Sequence, residues 1–517
     1  MKNTNQHSGE VAVQQLRGIS VNEANPSWYI SDEIPKQHAD FFANLLYFPF
    51  GAIDKDGTLW ASILVNPVVK ILSKVNMQIQ CSINEKDPFL NAVLGSQYFA
   101  AVGVDFTNQR RNKVNGKILS AVFADRILTL ILQADENMGN CPKYITVRNL
   151  EYCERKAGEP VIMDRLNMEA QSLINKSSTM FMVTKHMVGD SSECDLGIGF
   201  NHRGGARGFM RYYKDKDVGK IVLPDYSGNR FFQSLGNIQS DGAAGLVIPD
   251  FETGDMLHVT GSARNVFGKE ADSIMPRMSL ITIIEIQKAI LIKGGLNLCL
   301  VGNEVLSPYN PPIRLLRNEM KATEIFESGT PISLVKIEKL SSKISTFTFT
   351  YPSSLNDQSC VPGSYGIIDF SHIFIHQYQH MNNANPKLVN DDSIRTWTVS
   401  HFDKQKKQFS VTVKLAGRIS RFLHSLKQPV LDGIYLKGFG GEFSCFPDVP
   451  QKMVWFAAGV GITPFMSMYN SLDPNMRSRV TLVFSCRGDE ALLLKDFKAV
   501  IKTSISKVEG LKKQTCL

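Results

Sequence analysis

Arginine and glycine residues recur together in the middle of this 517-residue chain. The stretch FNHRGGARGFMRYY places Arg203 and Arg207 among three glycines. Further on, Gly228, Asn229 and Arg230 follow a strand-like segment. Glycine lets backbone amides approach an anion, and a guanidinium adds charge-assisted hydrogen bonds to a phosphate. The pattern predicts a phosphate site, and the alternative is a pair of solvated hairpin turns with surface arginines.

A second candidate phosphate site lies near the C-terminal end. There KMVWFAAGVGITPF joins an apolar run to a turn at Gly459 and Gly461, and then to a helix predicted to begin near Thr463. A proline in the first turn suits a helix N-terminus, which can face a pyrophosphate. The next strand ends at Arg487, which is interpreted either as a ribose or 2′-phosphate contact or as a solvated loop residue.

Composition sets the broad class of the chain. With 43% hydrophobic and 21% charged residues it matches an ordinary soluble globular protein, and 517 residues exceed what one hydrophobic core supports. The net charge of +8 comes from scattered lysines and arginines, so no nucleic-acid partner is expected. No apolar run reaches the ~18 residues of a membrane span, and the first residues lack an apolar signal core. A cytoplasmic location without a membrane is therefore expected.

The nine cysteines are irregularly spaced. No two form a CxxC pair, so neither a zinc nor an iron–sulfur site is expected and no metal is predicted. An odd count with irregular spacing fits reduced thiols in an intracellular compartment. Cys141, which precedes Pro142, is interpreted as a buried packing residue rather than a nucleophile.

Strand signals dominate the first three hundred residues, and they contain an internal echo. Residues 105–116 align with residues 250–261, since 250 − 105 and 261 − 116 are both 145. The two segments share Asp-Phe at the start, a valine two residues before a final glycine, and a strand–turn–strand rhythm. We interpret them as parts of a duplicated β unit, with a chance match as the alternative.

Residues from about 7 to 266 resemble the FMN-binding split-barrel proteins of the pyridoxamine-phosphate-oxidase type. The stretches NHRGG, PDYSGNRFFQSLGNI and AAGLVIPDFETGDMLHVTG carry this resemblance. It implies that Asn201 and Arg203 lie near the flavin ring or ribityl chain, and that the turn 228–230 holds the phosphate. Phe231 departs from the family, where a lysine is common, so one phosphate contact is in doubt.

The first copy lacks such a turn and is expected to be a structural barrel half. Because split barrels of this type commonly bury flavin between two subunits, a homodimer is expected unless the duplicated barrel meets that need within one chain.

From about residue 331 several short strands at regular spacing predict a small antiparallel barrel. From Ser333 onward the chain resembles the ferredoxin–NADP reductase family. RTWT stands where that family has Arg-x-Tyr-Ser, which implies that Arg395 pairs with the FAD pyrophosphate and Trp397 stacks on the flavin. Thr398 would approach the reactive N5 edge and is the predicted catalytic residue. Trp for Tyr loses a hydroxyl that often bonds the ribityl chain, whereas Thr for Ser keeps one.

The remaining family signatures follow in order. Gly417 and Ser420 match Gly-x-x-Ser-x-x-Leu, so the resemblance implies that both sit against the pyrophosphate. The turn at residues 458–464 resembles the family's Gly-Gly-x-Gly-Ile-Thr-Pro loop, with Ala458 replacing the first glycine, so Gly459, Gly461 and Thr463 are predicted to bind NAD(P)H. The family's Cys-Gly-Pro strand, which faces the nicotinamide, has no counterpart here, and this puts the activity of the domain in doubt.

Together these observations predict a mixed, mainly β chain. Tandem split β-barrel halves precede a six-stranded antiparallel FAD-type barrel and a partial α/β nucleotide-binding domain. The predicted boundaries are 1–165 and 166–300 for the two split-barrel units, 301–330 for a linker, 331–450 for the FAD barrel, and 451–517 for the partial NAD(P) domain. The predicted function is electron transfer from NAD(P)H through FAD, with FMN as a further carrier, to an unknown acceptor. The alternative is a non-enzymatic flavin-binding protein with a degenerate nicotinamide domain.

Overall fold

The computed structural model describes residues 6–20, 30–187, 197–320, 329–355, 357–358, 360–374, 378–428, 432–495 and 497. The chain divides into two compact units. Unit 1 contains residues 1–317 and 378–390, and unit 2 contains residues 318–377 and 391–517.

The first sheet of unit 1 is antiparallel and is built from the first 140 residues. Its members are β1 (Ile30–Ser31), β2 (Tyr47–Ile53), β3 (Leu59–Val65), β4 (Val68–Ile71), β5 (Asn76–Ser82), β6 (Tyr98–Asp105), β7 (Arg110–Ala124) and β8 (Ile127–Asn140). The strand order is β3-β2-β6-β7-β8-β5-β4, and β1 pairs with β8. Three helices accompany this part of the chain: α1 (Ser8–Leu16), α2 (Lys36–Ala43) and α3 (Pro88–Gly95). The strands bury a core rich in phenylalanine, including Phe42, Phe48 and Phe50.

The strand β9 (Val147–Tyr152) lies between the two large sheets in the sequence and belongs to neither. The second sheet consists of β10 (Val161–Met163), β11 (Thr179–His186), β12 (Gly197–Gly204), β13 (Arg211–Asp215), β14 (Val218–Pro224), β15 (Ala243–Pro249), β16 (Met256–Phe267) and β17 (Leu280–Ile292). Its helices are α4 (Met168–Lys176), α5 (Gln233–Asp241) and α6 (Gly268–Ile274). Its order is β12-β11-β15-β16-β17-β14-β13, and β10 pairs with β17.

The two sheets have the same strand path, which accounts for the echo in the sequence. β2 corresponds to β11, β6 to β15, β7 to β16 and β8 to β17. Both long hairpins carry a register shift at the same place, before Gly116 and before Gly261. A Cβ at Gly116 would lie 2.0 Å from the Gln133 carbonyl oxygen, and one at Gly261 would lie 1.9 Å from the Glu285 carbonyl oxygen. Glycine is therefore required at both bulges.

β9 pairs in antiparallel orientation with β18 (Leu298–Val305), a strand that follows the second sheet in the sequence. A disulfide links Cys153, just after β9, to Cys299 within β18. The expectation that all nine cysteines are reduced thiols is therefore wrong for this pair. The strands bring together two cysteines separated by 146 residues, a separation that no local motif reveals.

The segment 378–390 belongs to unit 1, although the sequence places it inside the predicted 331–450 domain. The Lys143 side chain donates to the His380 carbonyl oxygen, and the Asn390 amide donates to the Tyr144 hydroxyl at 2.8 Å. This segment therefore completes unit 1 from a distant part of the chain.

Unit 2 contains the predicted closed six-stranded antiparallel barrel, and the mainly β fold class is confirmed. The barrel runs β19-β20-β23-β22-β21-β24. Its strands are β19 (Thr330–Lys339), β20 (Ile344–Thr350), β21 (Tyr365–Asp369), β22 (Ile394–Asp403), β23 (Gln408–Lys414) and β24 (Ile434–Gly440). Helix α7 (Arg418–Ser425) packs Ile419 and Leu423 into the barrel core.

The nucleotide-binding part of unit 2 has two parallel strands among the described residues. They are β25 (Met453–Ala458) and β26 (Val480–Ser485). Helices α8 (Thr463–Ser471) and α9 (Pro474–Arg477) lie between them in sequence. On β25, Met453 and Trp455 are buried, whereas Val454 and Phe456 are 58% and 71% exposed. Within the described part of the chain, one face of this small sheet is therefore uncovered.

Candidate functional sites

Unit 1 contains a cavity of about 130 Å³ lined by residues of both repeats. β12 supplies Asn201 and Arg203, and β7 of the first repeat supplies Arg111 and Lys113. The polar and glycine residues of its wall include Arg111, Lys113, Cys141, Asn201, His202, Arg203, Asp225, Gly228, Asn229 and Arg230. The cavity is thus a feature of the duplicated fold rather than of one repeat.

The predicted split-barrel residues converge on this cavity. Asn201, Arg203 and the turn 228–230 all line it, although they are spread over thirty residues of sequence. Asn201 hydrogen-bonds to the Ser234 hydroxyl on α5, which fixes its side chain. Arg203 pairs with Asp225 at 3.4 Å. Burial raises the pKa of Asp225, and Arg203 opposes that rise.

Two further cations come from the first repeat, and sequence reasoning missed them. Lys113 is 9% exposed and its Nζ donates to Gln233 Oε1 at 2.9 Å. Burial lowers the pKa of Lys113 to about 8, with Glu136 opposing and Arg111 adding to the shift. The first repeat, expected from the sequence to be a structural barrel half, therefore also contributes side chains to the cavity wall. The available signal was their alternate spacing, which places both on one face of a strand, whereas the folded register decides that this face turns inward.

The charge around the cavity is strongly positive. Four cationic side chains line it, namely those of Arg111, Lys113, Arg203 and Arg230, against one carboxylate among the described lining residues, that of Asp225. Such an excess of cations favours an anionic ligand, and guanidinium groups match phosphate oxygens in geometry.

The turn that begins at Gly228 is held by the segment 378–390. Tyr378 donates its hydroxyl to the Gly228 carbonyl at 2.8 Å, and the Arg230 guanidinium lies 3.4 Å from the centre of the Tyr378 ring. Asn390 accepts the Ser227 amide at 3.0 Å. Arg230 adopts a left-handed φ of 67°, which is uncommon for a residue with a side chain. The segment therefore fixes the turn from outside the cavity.

In unit 2, Arg395 on β22 is held by a carboxylate four residues earlier. Its Nη1 and Nη2 donate to the two oxygens of Asp391, each at 2.8 Å. Burial raises the pKa of Asp391, but the hydrogen bonds and charge of Arg395 outweigh it, so the net shift is downward. Arg395 remains 29% exposed, so part of the guanidinium is available to a second anion.

The barrel register aligns Thr398 with residues of two neighbouring strands. Thr398 on β22 is opposite Tyr365 on β21, and Tyr365 is opposite Gly440 on β24. A Cβ at Gly440 would lie 3.3 Å from the Tyr365 ring, so a glycine there allows close packing. Trp397 is partly buried against the barrel core and meets Phe370 edge to face at 5.9 Å.

The predicted pyrophosphate pair lies at the start of α7. Gly417 is the residue before the helix, and a Cβ there would meet nothing within 4 Å. The Ser420 hydroxyl is buried and accepts the amides of Ala416 and Gly417, both at 2.9 Å. Ser420 therefore shapes the loop, while the space in front of Gly417 is open to a ligand.

The glycine turn after β25 leads into α8 as predicted, with Thr463 as the first residue and Pro464 in the first turn. α8 packs against β22, which carries Arg395, Trp397 and Thr398. Gly459 has a φ of 50°, a conformation that favours glycine, and a Cβ at Gly461 would meet nothing within 4 Å. The glycine turn and β22 are therefore brought close together within unit 2 by α8.

Arg487 lies at the end of β26, and its side chain is exposed. Its backbone amide donates to the buried Glu490 carboxylate at 3.3 Å, and Glu490 also accepts from Lys414 at 3.0 Å. A Cβ at Gly459 would lie 3.6 Å from Glu490 Oε2. The turn is thus bordered by a carboxylate that the sequence did not reveal as a neighbour.

Neither a metal cluster nor a membrane-spanning helix is found among the described residues. No group of three or more histidine, cysteine, aspartate or glutamate side chains there could hold a metal ion. In the same part of the chain, no helix has the length and apolar character needed to cross a bilayer.

Comparison with known proteins gives a partial match. NADH-cytochrome b5 reductase 1 of Cryptococcus neoformans var. neoformans is 31% identical over 121 residues, which is 23% of this chain and 40% of the relative. The same match is found in a second strain of that fungus. The chain therefore spans well under half the length of the curated relatives it matches. No protein-family model matches the sequence.

Solved structures give weak overall similarity. The ferredoxin NADP⁺ reductase of Neisseria gonorrhoeae with bound FAD and NADP aligns at 21% identity and a TM-score of 0.24, covering 32% of this chain and 61% of that one. The cytochrome b5 reductase domain of Ulva prolifera nitrate reductase aligns at 13% identity and a TM-score of 0.25, covering 34% and 68%. TM-scores this low do not establish a shared fold.

Proposed function

We propose that the chain is a flavoprotein oxidoreductase that takes electrons from NAD(P)H through FAD in unit 2 and passes them to an acceptor not yet identified. The observation that carries the proposal is the packing of α8, which follows the glycine turn, against β22, which holds Arg395 and Thr398. A nucleotide held at the turn and a flavin held by β22 would be neighbours. The likeness to NADH-cytochrome b5 reductase 1 supports the same class of reaction.

The residues present fit FAD. Open space in front of Gly417 lies at the start of a helix, where backbone amides favour a pyrophosphate. Arg395 supplies a guanidinium that Asp391 orients, and Trp397 supplies an aromatic surface near the core. When bound, FAD supplies the hydride and electron-transfer chemistry, and the protein supplies binding, orientation and electrostatics. We assign Thr398 to the position beside the reacting edge of the flavin.

For the nicotinamide nucleotide, the assigned residues are Gly459, Gly461, Thr463 and Arg487. The open space at Gly461 and the helix start at Thr463 support a pyrophosphate at this turn. Glu490 opposes it, since a carboxylate 3.6 Å from a Cβ at Gly459 repels phosphate oxygens. The contact of Lys414 with Glu490 partly offsets that charge.

For unit 1 we propose a phosphate-bearing ligand, with FMN as the candidate. The four cations of the cavity support this assignment. Arg203 and Asn201 would hold the flavin ring or ribityl chain, and the turn 228–230 would hold the phosphate. Because residues of both repeats line the cavity, one chain supplies the two halves that a homodimer would otherwise provide.

The experiment that tests the two-site proposal is flavin analysis of purified variants. Released flavins are separated by chromatography after denaturation of wild type, Arg395→Ala and a control, Arg264→Ala, whose exposed partner Glu270 lies in unit 1. We expect Arg395→Ala to lose FAD and keep any FMN, and the control to match wild type. Loss of both flavins together, or retention of FAD, contradicts the assignment.

A further inference from the structure

Cys141 lies at the wall of the unit 1 cavity, beside cationic groups and an imidazole. We propose that Cys141 and His380 form a nucleophilic thiolate centre, and that a hydroperoxide entering the cavity oxidises Cys141 to a sulfenic acid. This modification site does not depend on the proposed FAD chemistry of unit 2, and it requires the part of the cavity beside Cys141 to be free of ligand.

The geometry holds the sulfur in place. Arg111 donates from Nε to the Cys141 carbonyl at 2.9 Å, and its Nη2 lies 3.7 Å from Sγ. Lys143, two residues after Cys141, donates to the His380 carbonyl oxygen, which anchors the histidine next to the cysteine. The Nδ1 of His380 lies 3.3 Å from the Gly228 carbonyl oxygen and 3.3 Å from the Tyr378 hydroxyl, which fixes the ring. A cysteine paired with a fixed imidazole is the general arrangement of an activated thiol.

The charges around Cys141 favour the thiolate. Burial raises the pKa of Cys141, but His380, Arg111 and Lys143 outweigh burial and lower the pKa to about 6. The other titratable groups around the centre are the Asp225 carboxylate and the hydroxyls of Tyr144 and Tyr378.

The cavity gives a small reagent access to the thiolate. Cys141 is half-buried and lines the cavity, so the expectation of a buried packing residue is wrong. His202, which is 4% exposed and lines the same cavity, has no hydrogen-bond partner for Nε2 among the described residues. A volume of about 130 Å³ has room for a peroxide and a few waters.

Other free cysteines offer a matched contrast. Burial raises the pKa values of Cys81 and Cys360 to about 12, and Asp357 adds to the shift at Cys360. Cys153 and Cys299 are joined in the disulfide. Burial also raises the pKa values of Cys445 and Cys486, so among the cysteines that the structure describes, reactivity should concentrate on Cys141.

Oxidation of the Cys141 thiolate by a hydroperoxide needs neither a metal nor a second thiol. The thiolate sulfur attacks one peroxide oxygen, an S–O bond forms, and the O–O bond breaks. The leaving oxygen departs as hydroxide, or as alkoxide from an organic peroxide, and takes a proton from water or the imidazole. Sulfur is oxidised by two electrons and the peroxide is reduced by two. Two equivalents of a small thiol reduce the sulfenic acid back to the thiol: the first forms a mixed disulfide and releases water, and the second displaces Cys141 and leaves as the disulfide of the small thiol.

The test measures the rate of each cysteine's alkylation by iodoacetamide in the full-length protein, by peptide mass spectrometry between pH 5 and pH 9. We expect Cys141 to react at least tenfold faster than Cys360 at pH 7, with a midpoint near pH 6. We also expect hydrogen peroxide to produce a dimedone adduct at Cys141. The proposal is overturned if Cys141 reacts no faster than Cys360, if its midpoint lies above pH 8, or if no dimedone adduct forms.

A variant tests the role of His380 separately. His380→Gln removes the imidazole and keeps a polar side chain, so the alkylation midpoint of Cys141 should rise by about one pH unit or more. An unchanged midpoint in a protein that melts at the wild-type temperature contradicts the pair. Because the decisive measurement uses the wild-type chain, a variant that fails to fold does not affect it.

Discussion

The two repeats of unit 1 share a strand path and a bulge glycine, yet they differ in charge where the cavity lies. The offset of 145 residues relates Arg111 to Met256 and Lys113 to His258. Met256 and His258 are 1% and 0% exposed, and His258 Nδ1 lies 2.9 Å from the Ala61 carbonyl oxygen. The first repeat places cations at these positions, and the second places a thioether and a buried imidazole.

The turn 228–230 shows the reverse difference. Arg230 in the second repeat corresponds to Glu85 in the first at the same offset. Arg111 and Lys113 come from the first repeat and Arg230 comes from the second, and all three line the same cavity. The two repeats therefore share a strand path, while their cationic side chains meet at a single cavity.

The strongest test of the comparison concerns the shared bulge. Gly116→Ala and Gly261→Ala each place a Cβ within about 2 Å of a carbonyl oxygen, so each should lower the free energy of unfolding by about 3 kcal/mol. Chemical denaturation measures the change. Gly139→Ala is the control, because its Cβ would meet nothing closer than 3.8 Å. If one bulge variant is neutral, the repeats are not equivalent there.

The next test concerns the cations of the first repeat. Lys113→Met should weaken FMN binding about ten- to a hundredfold, the usual effect of losing a hydrogen bond to a charged group. Binding is measured by fluorescence titration. Lys117→Met, an exposed position of the same strand, is the control. Riboflavin, which lacks the phosphate, should bind both proteins equally, and an equal loss for riboflavin and FMN would show that Lys113 does not contact phosphate.

The pH dependence of FMN binding tests whether the charge of Lys113 contributes to affinity. Because burial lowers its pKa to about 8, Lys113 is charged below pH 8 and loses its charge as the pH rises through 8. FMN affinity should therefore fall between pH 7 and pH 9 by up to the loss seen in Lys113→Met. Lys113→Arg should bind with little change over this range, since arginine stays charged. A flat wild-type profile contradicts the assignment.

The smallest effect is expected at the paired arginine of unit 2. The pKa of Asp391 is lowered, so the stability contributed by its pair with Arg395 is complete above about pH 4 and is lost as the pH falls through the lowered pKa. Asp391→Asn should cost about 1 kcal/mol at pH 7 and less below pH 4. Thermal unfolding at several pH values measures it. If the destabilisation by Asp391→Asn grows toward low pH, the ion pair of Asp391 with Arg395 is not its source.

Strand patterns and glycine turns predicted the mainly β class, the closed barrel, the helix start at Thr463 and the echo between the repeats, because each depends on local sequence. The sequence predicted only some of the residues that line the cavity. Asn201, Arg203 and the turn 228–230 stand out beside glycines, whereas Arg111 and Lys113 sit in an ordinary polar strand, and only the folded register turns them inward. The disulfide and the return of segment 378–390 to unit 1 depend on distant chain contacts that no local pattern encodes.

The most direct test of the central claim is an anaerobic titration of the purified chain, followed in the visible flavin band. We predict that the protein carries FAD and that NADH or NADPH bleaches its absorbance within seconds to minutes, with reoxidation when air is admitted. Bound flavin that stays oxidised with both nucleotides would contradict the oxidoreductase assignment and favour a flavin-binding protein without activity.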